Sequence, residues 1–172
     1  MKNRAAIWGV LVVIGLIVSY FTVSSGDAVK WNDKVVAQDR QFGIAWAKIQ
    51  PIVSSWVQGK AVDAAKLDAA VAQYAKDVGQ AAGELRRHAP PDDELCKSMH
   101  AELLKFADLE EAQLADIRKL AAEMKASNPG KPEDLKRVAE ALDALGKKEA
   151  AQEAIVRAKQ QAMAAKFKLK MK

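Results

Sequence analysis

Apolar residues recur at spacings of three and four along most of this chain, and glycine and proline divide that pattern into four stretches. The first begins near Asp27 and reaches about Val57, with Trp31, Val35, Phe42, Ala45, Trp46, Ile49, Val53 and Trp56 on one stripe. Pro51 falls inside it, where the missing amide hydrogen and the ring predict a kink or an early end. Gly59 marks the turn that follows. The second stretch runs from Asp63, a natural N-cap, to Arg87. Its stripe of Leu67, Ala70, Val71, Tyr74, Val78, Ala81, Ala82 and Leu85 is mostly small, which predicts close approach to a neighbour. Ala89-Pro90-Pro91 stops it. The third starts at Pro91, with Asp92, Asp93 and Glu94 supplying negative charge to its first turn, and ends at Ser127-Asn128-Pro129-Gly130. The fourth starts at Pro132-Glu133-Asp134 and reaches about Lys166. Strand-like alternation of useful length is confined to the terminal KFKLKMK. Four amphipathic helices with short loops predict an all-α fold, an antiparallel four-helix bundle forming one domain over residues 26–172.

Ahead of the bundle, residues 5–23 (AAIWGVLVVIGLIVSYFTV) carry no charge. As a helix this run spans ~28 Å, close to the hydrocarbon thickness of a bilayer. It exceeds the usual apolar region of a secretory signal, and Trp8 and Tyr20 lie near its two ends, where aromatic rings favour the membrane interface. Residues 1–25 are therefore expected to be a cytoplasmic tail and an uncleaved transmembrane signal anchor. Cleavage within Ser24-Ser25-Gly26 is the alternative. Lys2 and Arg4 precede the run, and the positive-inside rule keeps them cytoplasmic. The expected location is the bacterial inner membrane, crossed once, with the bundle on the extracytoplasmic or periplasmic side. The single cysteine, Cys96, leaves an exported domain without an internal disulfide, so packing must hold it.

The net charge of +5 is unevenly placed. Residues 131–172 hold 11 Lys/Arg against 6 Asp/Glu, and the chain ends in Lys166, Lys168, Lys170 and Lys172. These lysines read as a solvated helix end complementing the helix dipole. Their other reading is a contact with an anionic surface or an envelope protein partner. Lysines without interleaved aromatic platforms do not make a nucleic-acid site, and none is expected.

Candidate chemistry is sparse. With only His88 and His100, the Glu-x-x-His pairs of a di-iron bundle, a zincin helix and a structural zinc set are all missing, as are a phosphate-binding glycine loop and a Gly-x-Ser-x-Gly elbow. No enzymatic activity, cofactor or metal is expected. The string Cys96-Lys97-Ser98-Met99-His100 looks like a haem-attachment motif in which Met99 replaces the second cysteine. Cys96 and His100, four residues apart, remain a residual candidate pair for a metal.

More informative are polar residues that helical spacing places inside the apolar stripes. They are Gln38 on the first helix, Glu110 and Gln113 on the third, and Glu149, Glu153 and Gln160 on the fourth. A buried polar group must be hydrogen-bonded, and a lone buried carboxylate shifts its pKa upward. One reading is a polar layer fixing helix register, or a stripe edge that reaches water. The other is an interhelical pocket whose carboxylates receive a cation or a polar small molecule.

Three places carry a resemblance: Trp31-Asn32-Asp33-Lys34-Val35-Val36, Ala89-Pro90-Pro91 followed by Met99-His100-Ala101-Glu102-Leu103-Leu104, and Ala158 to Leu169 (AKQQAMAAKFKL). With these the chain resembles bacterial exported or membrane-anchored helical-bundle proteins of unknown function. Residues 31–50, WNDKVVAQDRQFGIAWAKIQ, are also similar to the start of LemA-family proteins, whose downstream arginine-rich and Leu-Ile-Pro-Asn-type sequence is absent here. Both resemblances imply an anchored bundle, and neither supplies catalytic residues. The expected role is interaction or scaffolding at the cell envelope. The rival is a ligand-sensing bundle with a polar pocket between its helices.

Overall fold

The computed structural model describes residues 21–22, 26–167 and 170–171. Helix α1 spans Asp27–Val57, α2 Ala64–Arg87, α3 Glu94–Ala126 and α4 Pro132–Phe167, joined by short turns into an antiparallel four-helix bundle. Helix ends follow local chemistry. The Asp63 carboxylate accepts the Lys66 amide at 3.1 Å, and Asp93 accepts those of Leu95 and Cys96 at 3.0 and 3.2 Å, satisfying amides that have no partner within the helix. At the end of α1 the amides of Gly59 and Lys60 fold back on the carbonyls of Trp56 and Ser55, at 2.9 and 3.2 Å. That pairing needs a left-handed residue, which Gly59 supplies at φ 92°.

Pro51 neither ends nor interrupts α1, which continues to Val57. Pro51 and Ala47, whose carbonyl loses its helical partner, are both exposed, so water can satisfy that carbonyl.

The core positions are a heptad register. On α2 they are Leu67, Val71, Tyr74, Val78, Ala81 and Leu85, and on α3 they run Cys96, Met99, Leu103, Phe106, Glu110, Gln113, Ile117, Leu120 and Met124, all buried. Spacings that alternate strictly between three and four keep one seam inward, as in left-handed supercoiled bundles. Helix α1 packs along α2, α2 along α3, and α3 along α4, while α1 also meets α3 across the bundle diagonal. There Phe42 and Phe106 stand edge to face with centroids 5.5 Å apart. Charged pairs stitch the outside: Lys48 to Asp77 between α1 and α2, Arg86 to Asp108 and Glu111 between α2 and α3, and Lys148 to Asp116 and Lys166 to Asp93 between α3 and α4.

The seam between α1 and α4 is built differently, with little close backbone approach. Val29 and Ala164, backed by Val36 and Phe167, close its end. Beside them a short antiparallel pair joins the strand β1 (Phe21–Thr22) to β2 (Lys170–Met171).

That pairing corrects the expectation for residues 5–23. Phe21 and Thr22 are extended and bound to the chain's far end, so a helix cannot run unbroken through residue 23. Residues 1–20 lie outside the described residues. Among those described, no helix is long and apolar enough to cross a membrane, because each of the four carries charged residues along its outer face. The transmembrane signal anchor, the single-pass inner-membrane topology with an extracytoplasmic body, the membrane as partner and the envelope scaffold that depended on them are therefore set aside. The terminal lysines change meaning as well. Lys166 pairs with Asp93 and lies over the Phe167 ring, 5.3 Å from its centroid, while Lys170 falls in β2. Lys168 and Lys172 lie outside the described residues.

Candidate functional site

Six of the buried positions described are polar or charged, Asn32 and Asp39 on α1, Glu110 and Gln113 on α3, and Glu149 and Gln160 on α4, and the buried Tyr74 of α2 adds a phenol. Helical spacing had indicated four of these, Glu110, Gln113, Glu149 and Gln160. Glu153 is half-buried beside them, with only 13% of its side chain exposed, and it pairs with Arg157 at 2.6 Å. Gln38 is half-buried, and the interior polar residue of that turn is its neighbour Asp39. Asn32 was likewise hidden behind Trp31. The signal for both was present: read back from Trp56, the alternation Val53, Ile49, Trp46, Phe42 leads to Asp39, Val35 and Asn32.

Two linked groups emerge. Between the neighbouring helices α2 and α3, the Tyr74 phenol donates to Glu110 Oε2 at 2.7 Å. Burial, and then the negative charge of Glu110, hold that phenol protonated. Burial also pushes the Glu110 carboxyl upward from its ordinary range, and the Tyr74 hydrogen bond opposes this. Glu149 is raised first by burial and then by the charges of Glu110 and Glu153. At the α1–α4 seam, Asp39 is raised from 3.8 to about 7, chiefly by burial and next by Glu153 and Glu110, while a side-chain hydrogen bond from Gln160 lowers it. A void of about 10 Å³ lies between Asp39, Phe106, Glu153, Val156, Arg157 and Gln160. It has room for roughly one water-sized centre.

The carboxyls of Asp39, Glu110 and Glu149 are governed by burial, neighbouring acids and hydrogen bonds rather than by a cation. Several buried atoms have no hydrogen-bond partner: both polar atoms of the Gln113 carboxamide and the Trp46 Nε1, close to Glu110 and Tyr74, and both polar atoms of Asn32 nearer the start of α1. Each such group costs on the order of 1–3 kcal/mol. Trp46 stands edge to face with Tyr74, at 6.3 Å between centroids, and Gln113 follows Glu110 by one turn on the same core seam. Unmet hydrogen-bonding capacity and unneutralised acid therefore share the middle of the bundle.

The haem-like string has a structural role. Cys96 is fully buried, with its thiol pushed up to about 11, chiefly by burial, which leaves it a poor nucleophile. The His100 Nε2 lies 3.0 Å from the Leu85 carbonyl, and the ring meets Trp31 edge-on at 5.9 Å. Trp31 in turn donates through Nε1 to the His88 carbonyl at 2.9 Å. Together these contacts tie α1 to the α2–α3 turn. Among the described residues no group of three or more His, Cys, Asp or Glu is arranged to hold a metal ion.

A second concavity, a cleft of about 370 Å³, lies on the outside of α3 and α4 over Leu120, Ala141, Ala144 and Leu145. Its rim alternates acids and bases (Asp116, Lys119, Glu123, Arg137, Glu140 and Lys148) and selects no ligand charge. No family model matches the chain, and neither a curated protein nor a solved structure is significantly similar to it.

Proposed function

We propose that this protein is a binding module without turnover, in which the interior polar seam of α1, α3 and α4 receives a small ligand bearing an ammonium group. The observation that carries this reading is the combination at the bundle centre: buried Asp39, Glu110 and Glu149, each raised chiefly by burial, with Glu110 and Glu153 adding to the rise at Asp39 and Glu149, beside a Gln113 carboxamide with both atoms unpartnered. An ammonium donates hydrogen bonds and brings positive charge. It would satisfy carboxylates that otherwise hold protons, and the Gln113 oxygen that otherwise holds nothing. A divalent metal is a poorer fit, since it needs several oxygen ligands already converging.

The test is thermal unfolding of the full chain at about pH 8 with putrescine, with 1,4-butanediol as its uncharged counterpart, and with magnesium. A ligand bound only by the native state adds about 2.7 kcal/mol at roughly 100-fold excess over Kd. Putrescine is expected to raise the midpoint, and the Glu110→Gln and Glu149→Gln variants are expected to lose that rise. An equal effect of butanediol, or a rise that survives both substitutions, contradicts the proposal.

A further inference from the structure

The void beside Asp39 is far too small for an organic amine, so a ligand can reach the interior only if two helices part. The α1–α4 seam is the line along which that costs least. The other neighbouring pairs pack along their lengths and are joined outside by the ion pairs already described, whereas α1 and α4 show little close backbone approach. What α1 and α4 do share in mid-length is polar: Asp39 bound to Gln160, with Glu153 alongside.

We propose that the α1–α4 seam is the entrance to the interior, and that ionisation of the carboxyls facing it opens it. The proposal rests on the binding role above and supplies its regulation. When Asp39 is neutral, it can stay buried against Gln160 and Phe106. When it is charged, it confronts Glu153 from α4 and Glu110 from α3, and hydration of the opened seam removes that repulsion. Charged and titratable groups approach it from more than one helix. Helix α4 contributes Glu153 and Arg157 and α3 contributes Glu110; Glu110 is linked in turn to Glu149 of α4 and to Tyr74 of α2, whose phenol stays protonated. On α1 itself Arg40 and Lys48 are exposed, and Lys48 is bonded to Asp77 at 2.5 Å. Arg157, the cation at the seam, is engaged by Glu153.

The experiment is a distance measurement between spin labels on Ile44→Cys and Ile155→Cys in the full chain without ligand. These are the exposed large apolar residues of α1 and α4, and native Cys96 is buried away from the label. From about pH 6 to about pH 9 the distance is expected to lengthen by a few ångströms, while a control pair on α2 and α3, Lys76→Cys with Ala112→Cys, stays constant. Adding Asp39→Asn and Glu149→Gln to the labelled chain is expected to abolish the lengthening. In the unlabelled protein, amide exchange corrected for its intrinsic pH dependence should accelerate in α1 and α4 before α2 and α3. A pH-independent seam by both methods overturns the proposal, as does an unchanged response in the Asp39→Asn, Glu149→Gln chain. Because no ligand is present, that failure leaves the putrescine result to stand or fall by itself: an amine that stabilises a seam that never opens must enter elsewhere.

Discussion

Asp39 shows how one residue couples the core to solution conditions. Its folded pKa of about 7 lies above the ordinary carboxyl value, so the native state holds a proton that the unfolded chain has released. The stability this contributes is full below about pH 4 and is lost as pH rises through about 7. Glu110 and Glu149, raised in the same direction, add to the fall. Thermal or urea unfolding should therefore show stability declining from about pH 5 to about pH 8, by on the order of a few kcal/mol. Asp39→Asn should flatten that decline, and a flat wild-type profile would contradict the assignment. Tyr74 makes a second test, because its phenol is the donor to Glu110. Tyr74→Phe removes it at nearly constant volume and should destabilise the fold by about 1–3 kcal/mol in urea titrations. No loss would mean that Glu110 finds another donor.

At the scale of elements, much was legible before any coordinates. The caps at Asp63, the Pro-Pro break and the Asn-Pro-Gly turn are local chemistry, and each helix boundary falls within a few residues of its signal. Glu110, Gln113, Glu149 and Gln160 were legible because the large apolar residues on α3 and α4 define the register around them. Asp39 and Asn32 were not, because Trp31, buried by its bulk and by its bond to the His88 carbonyl, drew the apparent stripe one residue early. That one-residue phase error exchanged Gln38 for Asp39. The fate of Pro51 depended on exposure, which periodicity does not report. Its outward position makes a prediction: Pro51→Ala restores an amide to an exposed helix turn and should raise stability by about 1–3 kcal/mol in thermal or chemical unfolding. A loss would show that the proline shapes α1 for its neighbours.

At the scale of the molecule, the four helices divide into a firm part and a seam. Heptad packing with external ion pairs holds α1 to α2, α2 to α3 and α3 to α4, whereas α1 meets α4 through polar side chains, capped at one end by a small apolar cluster and the β1–β2 pair. The early apolar run reads as a membrane span, yet its last described residues, Phe21 and Thr22, pair with Met171 and Lys170 at the other end of the chain. Buried acids and unpartnered amides are costly for a core that only needs to be stable, and a role in binding gives them a purpose. The most direct test is calorimetric titration of putrescine into the full chain at about pH 6.5, where the free protein still holds these protons, in two buffers of different ionisation enthalpy. The account predicts saturable binding accompanied by proton release, with both lost in the Asp39→Asn, Glu110→Gln, Glu149→Gln triple variant. Absence of binding, or binding that releases no protons and survives the triple substitution, would contradict it.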